Sequence, residues 1–244
     1  MPHIHALREA TETMEGAGVT VRRLMPVPRF MNFDPFVLWD HFSIGAGTGF
    51  PDHPHRGFEA ITYMFDGSMQ HTDNLGNQST VAAGGVQRFT AGRGIVHSEM
   101  PGKDGKSSGI QLWVNLPQGL KEIEPDYQQV DAPDMPEHKI GKAVVRNIVG
   151  ADSPVQLRTP VRYADVRLDA GAEFSEVINR GFRGLVYVVA GKITLAGNAL
   201  GAGTAIFMED IGVLEIVAQQ KSRFMLCFGQ PHNEPIRQHG PFVD

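Results

Sequence analysis

Tyr63-Met64-Phe65-Asp66-Gly67-Ser68-Met69 and Tyr187-Val188-Val189-Ala190-Gly191-Lys192-Ile193 share one pattern: an apolar strand, a glycine turn and a return strand. Downstream of each lies a second matching pair. Val81-Ala82-Ala83-Gly84-Gly85-Val86-Gln87-Arg88-Phe89 parallels Ala199-Leu200-Gly201-Ala202-Gly203-Thr204-Ala205-Ile206-Phe207. The two offsets, 124 and 118 residues, nearly agree. A duplicated β domain of about 120 residues accounts for both.

Strand signals recur at short intervals on either side of these pairs. Residues 20–24, 36–39, 59–65 and 109–114 carry them in the first half, and 142–145, 163–168, 184–189, 205–208 and 213–217 in the second. Turn clusters such as Asp73-Asn74-Leu75-Gly76-Asn77 separate them, and 28 glycines with 16 prolines favour many turns over long helices. The expected fold class is all-β, with two antiparallel β-sandwich or jelly-roll barrels. Between 116 and 142 the composition changes: Pro117, Pro125, Pro133 and Pro136 alternate with Glu122, Glu124, Asp126, Asp131, Asp134 and Glu137. This reads as a linker, with one short helix over 118–124. It places an N-terminal domain at 1–132 and a C-terminal domain at 133–244.

Composition removes several classes of function. A hydrophobic fraction of 41% suffices for real cores. A net charge of -5 with no basic run argues against direct nucleic-acid binding. No stretch approaches the roughly 20 apolar residues of a membrane span, and the first residues lack an apolar leader. The expected location is cytoplasmic. The single cysteine, Cys227, excludes an intramolecular disulfide and a cysteine-rich zinc site. Its apolar run, Phe224-Met225-Leu226-Cys227-Phe228, marks it as core.

Chemistry concentrates in two short segments of the first half. His53-Pro54-His55 places two imidazoles on one side of a strand, and His97-Ser98-Glu99 repeats that spacing with an imidazole and a carboxylate. A His-x-His pair alone is as readily polar surface as a ligand set. Here Gly57, Gly67, Gly92 and Gly94 punctuate both pairs, and Ile95, Val96 and Met100 surround His97 with apolar groups. His53, His55, His97 and Glu99 make a mixed nitrogen and oxygen set without thiolate, suited to one transition metal such as Fe, Mn, Ni, Cu, Zn or Co. Calcium would want more oxygens.

These residues bring a resemblance into view. Gly47-x5-His53-x-His55-x3-Glu59-x7-Gly67 is similar to the first cupin motif, and Gly85-x6-Gly92-x-Gly94-x2-His97 to the second. More specifically, His53-Pro54-His55-Arg56-Gly57-Phe58-Glu59 and Gly92-Arg93-Gly94-Ile95-Val96-His97-Ser98-Glu99 resemble the pirin family. So do Asp34-Pro35-Phe36, Gln111-Leu112-Trp113-Val114-Asn115-Leu116-Pro117 and Gly240-Pro241-Phe242-Val243. Longer members of that family continue beyond the last motif, whereas this sequence stops at Asp244.

The resemblance implies a bicupin with Fe2+ in the first barrel, held by His53, His55, His97 and Glu99. Glu59 is expected behind the ligands, orienting an imidazole or Arg56. Phe50 and Phe58 are expected to wall a substrate pocket, with Arg56 and Asp40 meeting polar groups of the substrate. His41 is placed at the pocket mouth or in the core. His3, His5, His71, His138, His232 and His239 read as solvated, as do Glu173, Glu176 and Asp210. The second half has no histidine between His138 and His232, so it reads as chemically silent.

Two functions follow from the resemblance. One is a quercetin 2,3-dioxygenase, which opens a flavonol-like aromatic substrate with O2 and releases carbon monoxide, with Glu99 as ligand and base. The other is an iron-dependent regulator that binds a transcription factor or a metabolic enzyme as protein partner.

Overall fold

The computed structural model describes residues 2–103 and 105–244. Among these the fold is all-β: antiparallel strands joined by tight turns, with two single-turn 3-10 segments at Gln118–Leu120 and Ala132–Asp134. None of the described helical segments is long and apolar enough to cross a membrane.

The chain forms two compact units, and a single cut after residue 132 does not describe them. One unit is Thr11–Met135 with His232–Asp244; the other is Met1–Ala10 with Pro136–Pro231. Each unit thus recruits the terminal segment of the opposite half. The strand His3–Glu9 pairs with Thr204–Glu209 in the C-terminal unit. The tail returns to the N-terminal unit, where the Val243 N–H donates to the Arg56 carbonyl at 3.0 Å.

Strand order establishes the duplication. The larger sheet of the N-terminal unit runs Asp126–Val130, Val86–Thr90, Phe58–Asp73, Ser107–Asn115, Phe36–Ile44, Val19–Met25, Thr11–Glu15. Its counterpart runs His3–Glu9, Thr204–Glu209, Arg183–Ala190, Ser222–Gly229, Val161–Leu168, Ala143–Val149, Glu137–Ile140. The smaller sheets match as well. Phe50–His55, Ile95–Pro101, the far part of Phe58–Asp73 and Gln78–Ala82 correspond to Glu173–Ile178, Gly212–Ala218, Lys192–Leu195 and Asn198–Gly201. Gly67 and Gly191 mark the same bend, with φ of +69° and +82°. A Cβ there would stand 1.9 Å from the Lys106 carbonyl oxygen and 2.4 Å from that of Lys221, so no other residue fits.

The same comparison corrects the expected linker. Asp126–Val130 pairs with Val86–Thr90 and takes the edge position that His3–Glu9 takes in the other unit. Most of the proline-rich stretch is therefore barrel and turn. The expected helix over 118–124 shrinks to one turn because Pro117 and Pro125 bracket it.

Positions that face inward in the C-terminal unit are apolar. Val186, Leu195, Ile206, Leu214, Ile216 and Leu226 belong to one buried cluster, and Cys227 is fully buried. Leu214→Ala should therefore destabilise this unit by about 2–5 kcal/mol, seen as a lowered midpoint in chemical denaturation. A change under about 1 kcal/mol would mean the interior is not close-packed there.

Candidate metal centre

His53 and His55 sit on the strand Phe50–His55, which pairs with Ile95–Pro101 so that His53 lies directly opposite His97. On the other flank of Ile95–Pro101, His97 faces Asp73 and Glu99 faces His71 across the strand Phe58–Asp73. Alternate residues share a face, so six polar side chains from three neighbouring strands come together inside the barrel. His55, His71, His97 and Glu99 are all at least 97% buried.

Each imidazole has one nitrogen committed elsewhere. His53 Nδ1 donates to the Pro51 carbonyl at 2.7 Å, and His55 Nδ1 to the Pro241 carbonyl at 3.4 Å. A carbonyl only accepts, so both rings carry their proton on Nδ1 and leave Nε2 bare. His97 can carry its proton on either nitrogen, since its Nε2 lies 3.1 Å from His53 Nε2 and its Nδ1 3.4 Å from His71 Nδ1. The Asp73 carboxylate accepts from His71 Nε2 at 2.9 Å, which leaves His71 Nδ1 as an acceptor 3.4 Å from His97 Nδ1. Burial opposes ionisation of Asp73, but hydrogen bonds from His71 and Asn77 prevail and hold its pKa below the ordinary range. Burial, with His53 beside it, pushes His55 down to about 3, and burial with the neighbouring imidazoles pushes His97 well down. Both rings are neutral.

Ring nitrogens of the three histidines converge. His53 Nε2 and His97 Nε2 are 3.1 Å apart, and buried His55 Nε2 has no hydrogen-bond partner. Donor atoms of His53, His55 and His97 lie within 4.8 Å of one another, and among the described residues they form the group able to hold a metal ion. The donor set fits: three converging imidazoles, of which His53 and His55 hold their proton on Nδ1 and turn Nε2 toward the group.

Glu99 is not part of that close group. Its Oε1 accepts from Thr62 Oγ1 at 2.9 Å and from Gln87 Nε2, and its Oε2 from Gln111 Nε2 at 3.2 Å. His53, His55 and Glu99 line one cavity of about 620 Å3, together with Phe50, Gln111 and Trp113. That volume suits a small-molecule ligand.

The pirin family model matches residues 18–114, and that of the pirin C-terminal cupin domain matches 163–244. The chain belongs to the pirin family. It is 38% identical to the Pirin of Homo sapiens over 249 residues, covering 95% of this chain and 84% of that protein. It is 42% identical to a pirin-like protein of Solanum lycopersicum, covering 94% and 82%. Among solved structures, a quercetin 2,3-dioxygenase from Acinetobacter baumannii superposes with a TM-score of 0.91 at 29% identity, covering 100% of this chain and 92% of that one. The fold of this pirin is accordingly a bicupin.

The other sequence candidates divide. Phe50 and Asp40 line the cavity, Asp40 in a two-pronged pair with Arg23 at 2.8 and 2.6 Å. Phe58 does not line it. It stacks on Trp113 at 4.0 Å and packs edge-on to His55, so it is core behind a ligand ring. Arg56 is also outside the cavity lining: it holds the Asp244 carboxylate and covers the Phe242 ring. His41 packs against Phe65 and likewise lies outside the lining. Glu59 accepts from Thr90 Oγ1 at 2.9 Å, on the face of its strand opposite to Thr62 and hence opposite to Glu99. Gly57, at φ +84°, breaks the strand between His55 and Glu59, so even spacing from His55 does not keep Glu59 inside.

Strand register shows what stands at the same positions in the second barrel. His55, His97, Glu99 and His71 correspond to Ile178, Leu214, Ile216 and Leu195. His53 corresponds to Glu176, which Arg162 engages through two nitrogens, so Glu176 is not a solvated edge residue.

His71 is the residue that sequence reasoning missed. It is 1% exposed rather than solvated, stacks on Tyr127 at 4.2 Å and touches His97. The signal was the alternation Met69, His71, Asp73 on one strand, hidden by the polar residues between them.

Saturating divalent metal should stabilise the protein, by about 2.7 kcal/mol at one hundred times the dissociation constant. Thermal melts with and without iron(II) under argon measure this, and His97→Ala should abolish the gain. Full stabilisation in that variant would place the metal elsewhere.

Proposed function

We propose that this chain is a metal-dependent dioxygenase that opens a flavonol-like substrate with O2 and releases carbon monoxide. The observation that carries the reading is the convergence of ring nitrogens from three histidines, two of which line a cavity sized for a small aromatic molecule. The likeness to a protein named quercetin 2,3-dioxygenase supports it. His53, His55 and His97 serve as nitrogen ligands to one divalent metal per chain, and Glu99 as the oxygen ligand. The family resemblance favours Fe2+, and the donor set also suits Mn, Ni, Cu, Zn or Co. Bound there, the metal supplies Lewis acidity toward a phenolic oxygen and the redox chemistry that O2 requires.

The remaining roles belong to the chain. Glu99 Oε2, which accepts a 3.2 Å bond from Gln111 Nε2, takes the proton of the substrate 3-hydroxyl. Phe50 and Trp113 flank the apolar body of the substrate, and Asp40 beside Gln111 meets its polar rim. Both atoms of O2 enter the products: the ring opens to an ester acid, and the carbon bearing the 3-hydroxyl leaves as carbon monoxide.

Iron-loaded protein mixed with quercetin in aerated buffer should consume O2 and release carbon monoxide in equal amounts. A flavone lacking the 3-hydroxyl should not react. Glu99→Gln should slow turnover by about 10^2–10^4-fold, whereas Glu59→Gln, on the opposite face, should leave it unchanged. Oxygen uptake no greater than that of free iron would sink the enzyme reading and favour the iron-dependent binding of a protein partner.

A further inference from the structure

Asp73 and His71 lie outside the ligand set, yet nothing else in the barrel interior is so completely tied to one ligand. Asp73 Oδ1 accepts from the backbone N–H groups of Leu75 and Asn77, both at 3.0 Å. Its Oδ2 accepts from Asn77 Nδ2 and His71 Nε2, both at 2.9 Å. Four donors on one carboxylate leave it no role but acceptor, so the His71 proton facing it resides on Nε2. With its proton on Nε2, the ring turns Nδ1 toward His97 Nδ1 at 3.4 Å. The ring cannot rotate away, because Tyr127 stacks on it and Tyr127 is fixed by a 2.6 Å bond to Ser79. His53 and His55 obtain the same tautomer from backbone carbonyls; His97 has none within reach in the structure and depends on a side chain instead.

We propose that Asp73 and His71 are positioning residues that set the tautomer of His97, keeping its proton on Nδ1 so that Nε2 faces the metal. The inference rests on the reading of His97 as a metal ligand. It also specifies a polarity: the chain of hydrogen bonds runs from His97 through His71 to Asp73, and it works only in that direction. A donor in place of the Asp73 oxygen would reverse it, protonate His71 on Nδ1 and push the His97 proton onto Nε2, where it blocks coordination.

Asp73→Asn makes that reversal with little change of shape. The two backbone donors at Oδ1 hold the amide oxygen there and turn the amide nitrogen toward His71. His71→Phe removes the acceptor while keeping a ring to stack on Tyr127. In metal-free protein labelled with 15N-histidine, long-range proton–nitrogen spectra report the tautomer of each ring. The native chain should show His97 with its proton on Nδ1, and Asp73→Asn should show it on Nε2. Iron(II) titrated anaerobically should bind each variant about 10–100-fold more weakly than the native chain. A His97 that keeps Nδ1–H in Asp73→Asn would overturn the proposal, as would native iron affinity in both variants. If the native chain binds no iron at all, the metal reading fails, while the tautomer spectra still decide whether Asp73 and His71 control His97.

Discussion

His53 Nε2 and His97 Nε2 face each other at 3.1 Å, a separation held by a proton on His97 Nε2 or by a cation between the two rings. The opposite nitrogen of each is already committed, to a backbone carbonyl for His53 and to His71 for His97. Much of the N-terminal unit is arranged to keep this arrangement in place. The tail brings the Pro241 carbonyl to His55, and the tail itself is held by Lys121, whose ammonium donates to the carbonyls of Gly57 and Val243 and to Asn115 Oδ1. Burial pushes Lys121 down to about 8, the cost of placing an ammonium at this junction. Gly57 is required because a Cβ there would lie 1.8 Å from the Val243 carbonyl oxygen. A segment from the far end of the sequence is thus part of the ligand shell of a histidine near its start.

The duplicated barrel shows what the same scaffold does without that constraint. Thr62, Gln87 and Gln111, the donors to Glu99, correspond by register to Val186, Ile206 and Leu226. Glu99 itself corresponds to Ile216. At these positions one barrel places apolar side chains and the other a polar network around Glu99. A buried polar group left unpaired costs about 1–3 kcal/mol, so such a network is stable only when all its members are present together. Converting one barrel into the other by single substitutions is therefore unfavourable at almost every step. A half-built site is worse than either end state.

The repeated strand–glycine–strand pattern made the two β domains legible, since Gly67 and Gly191 are steric requirements that leave a mark in sequence. His53, His55 and His97 were legible for the same reason that they function: period-two spacing puts two imidazoles on one face and a third opposite them. The exchange of terminal strands was not legible. His3–Glu9 alternates exposed and half-buried residues with polar groups on both faces, so it carries no apolar stripe. Asp126–Val130 was obscured by prolines that sit in the turns around it. Glu59 was misplaced because a parity count cannot register a strand break at a glycine of positive φ. His71 was misplaced because its partners, Asp73, Tyr127 and His97, are distributed over three strands, and no local pattern joins them.

The polar network also has a direction. Gln87, Thr62, Gln111, Asp40 and Arg23 are cross-strand neighbours, one from each of five adjacent strands, so they form a continuous row across the inner sheet. The row begins beneath Glu99 and ends at the ion pair of Arg23 with Asp40 in the cavity wall. In the other barrel the same row reads Ile206, Val186, Leu226, Ala164 and Asn147, the first four within the apolar core. Leu38 and Trp113, one step along the same strands, are apolar, as is Phe42 on the other side of Asp40. The cavity therefore presents a polar strip bordered by apolar surface, with His53, His55 and Glu99 also in its wall. A planar molecule whose oxygens lie along one edge matches that strip, whereas an evenly polar or wholly apolar molecule of the same size leaves part of the wall unpaired.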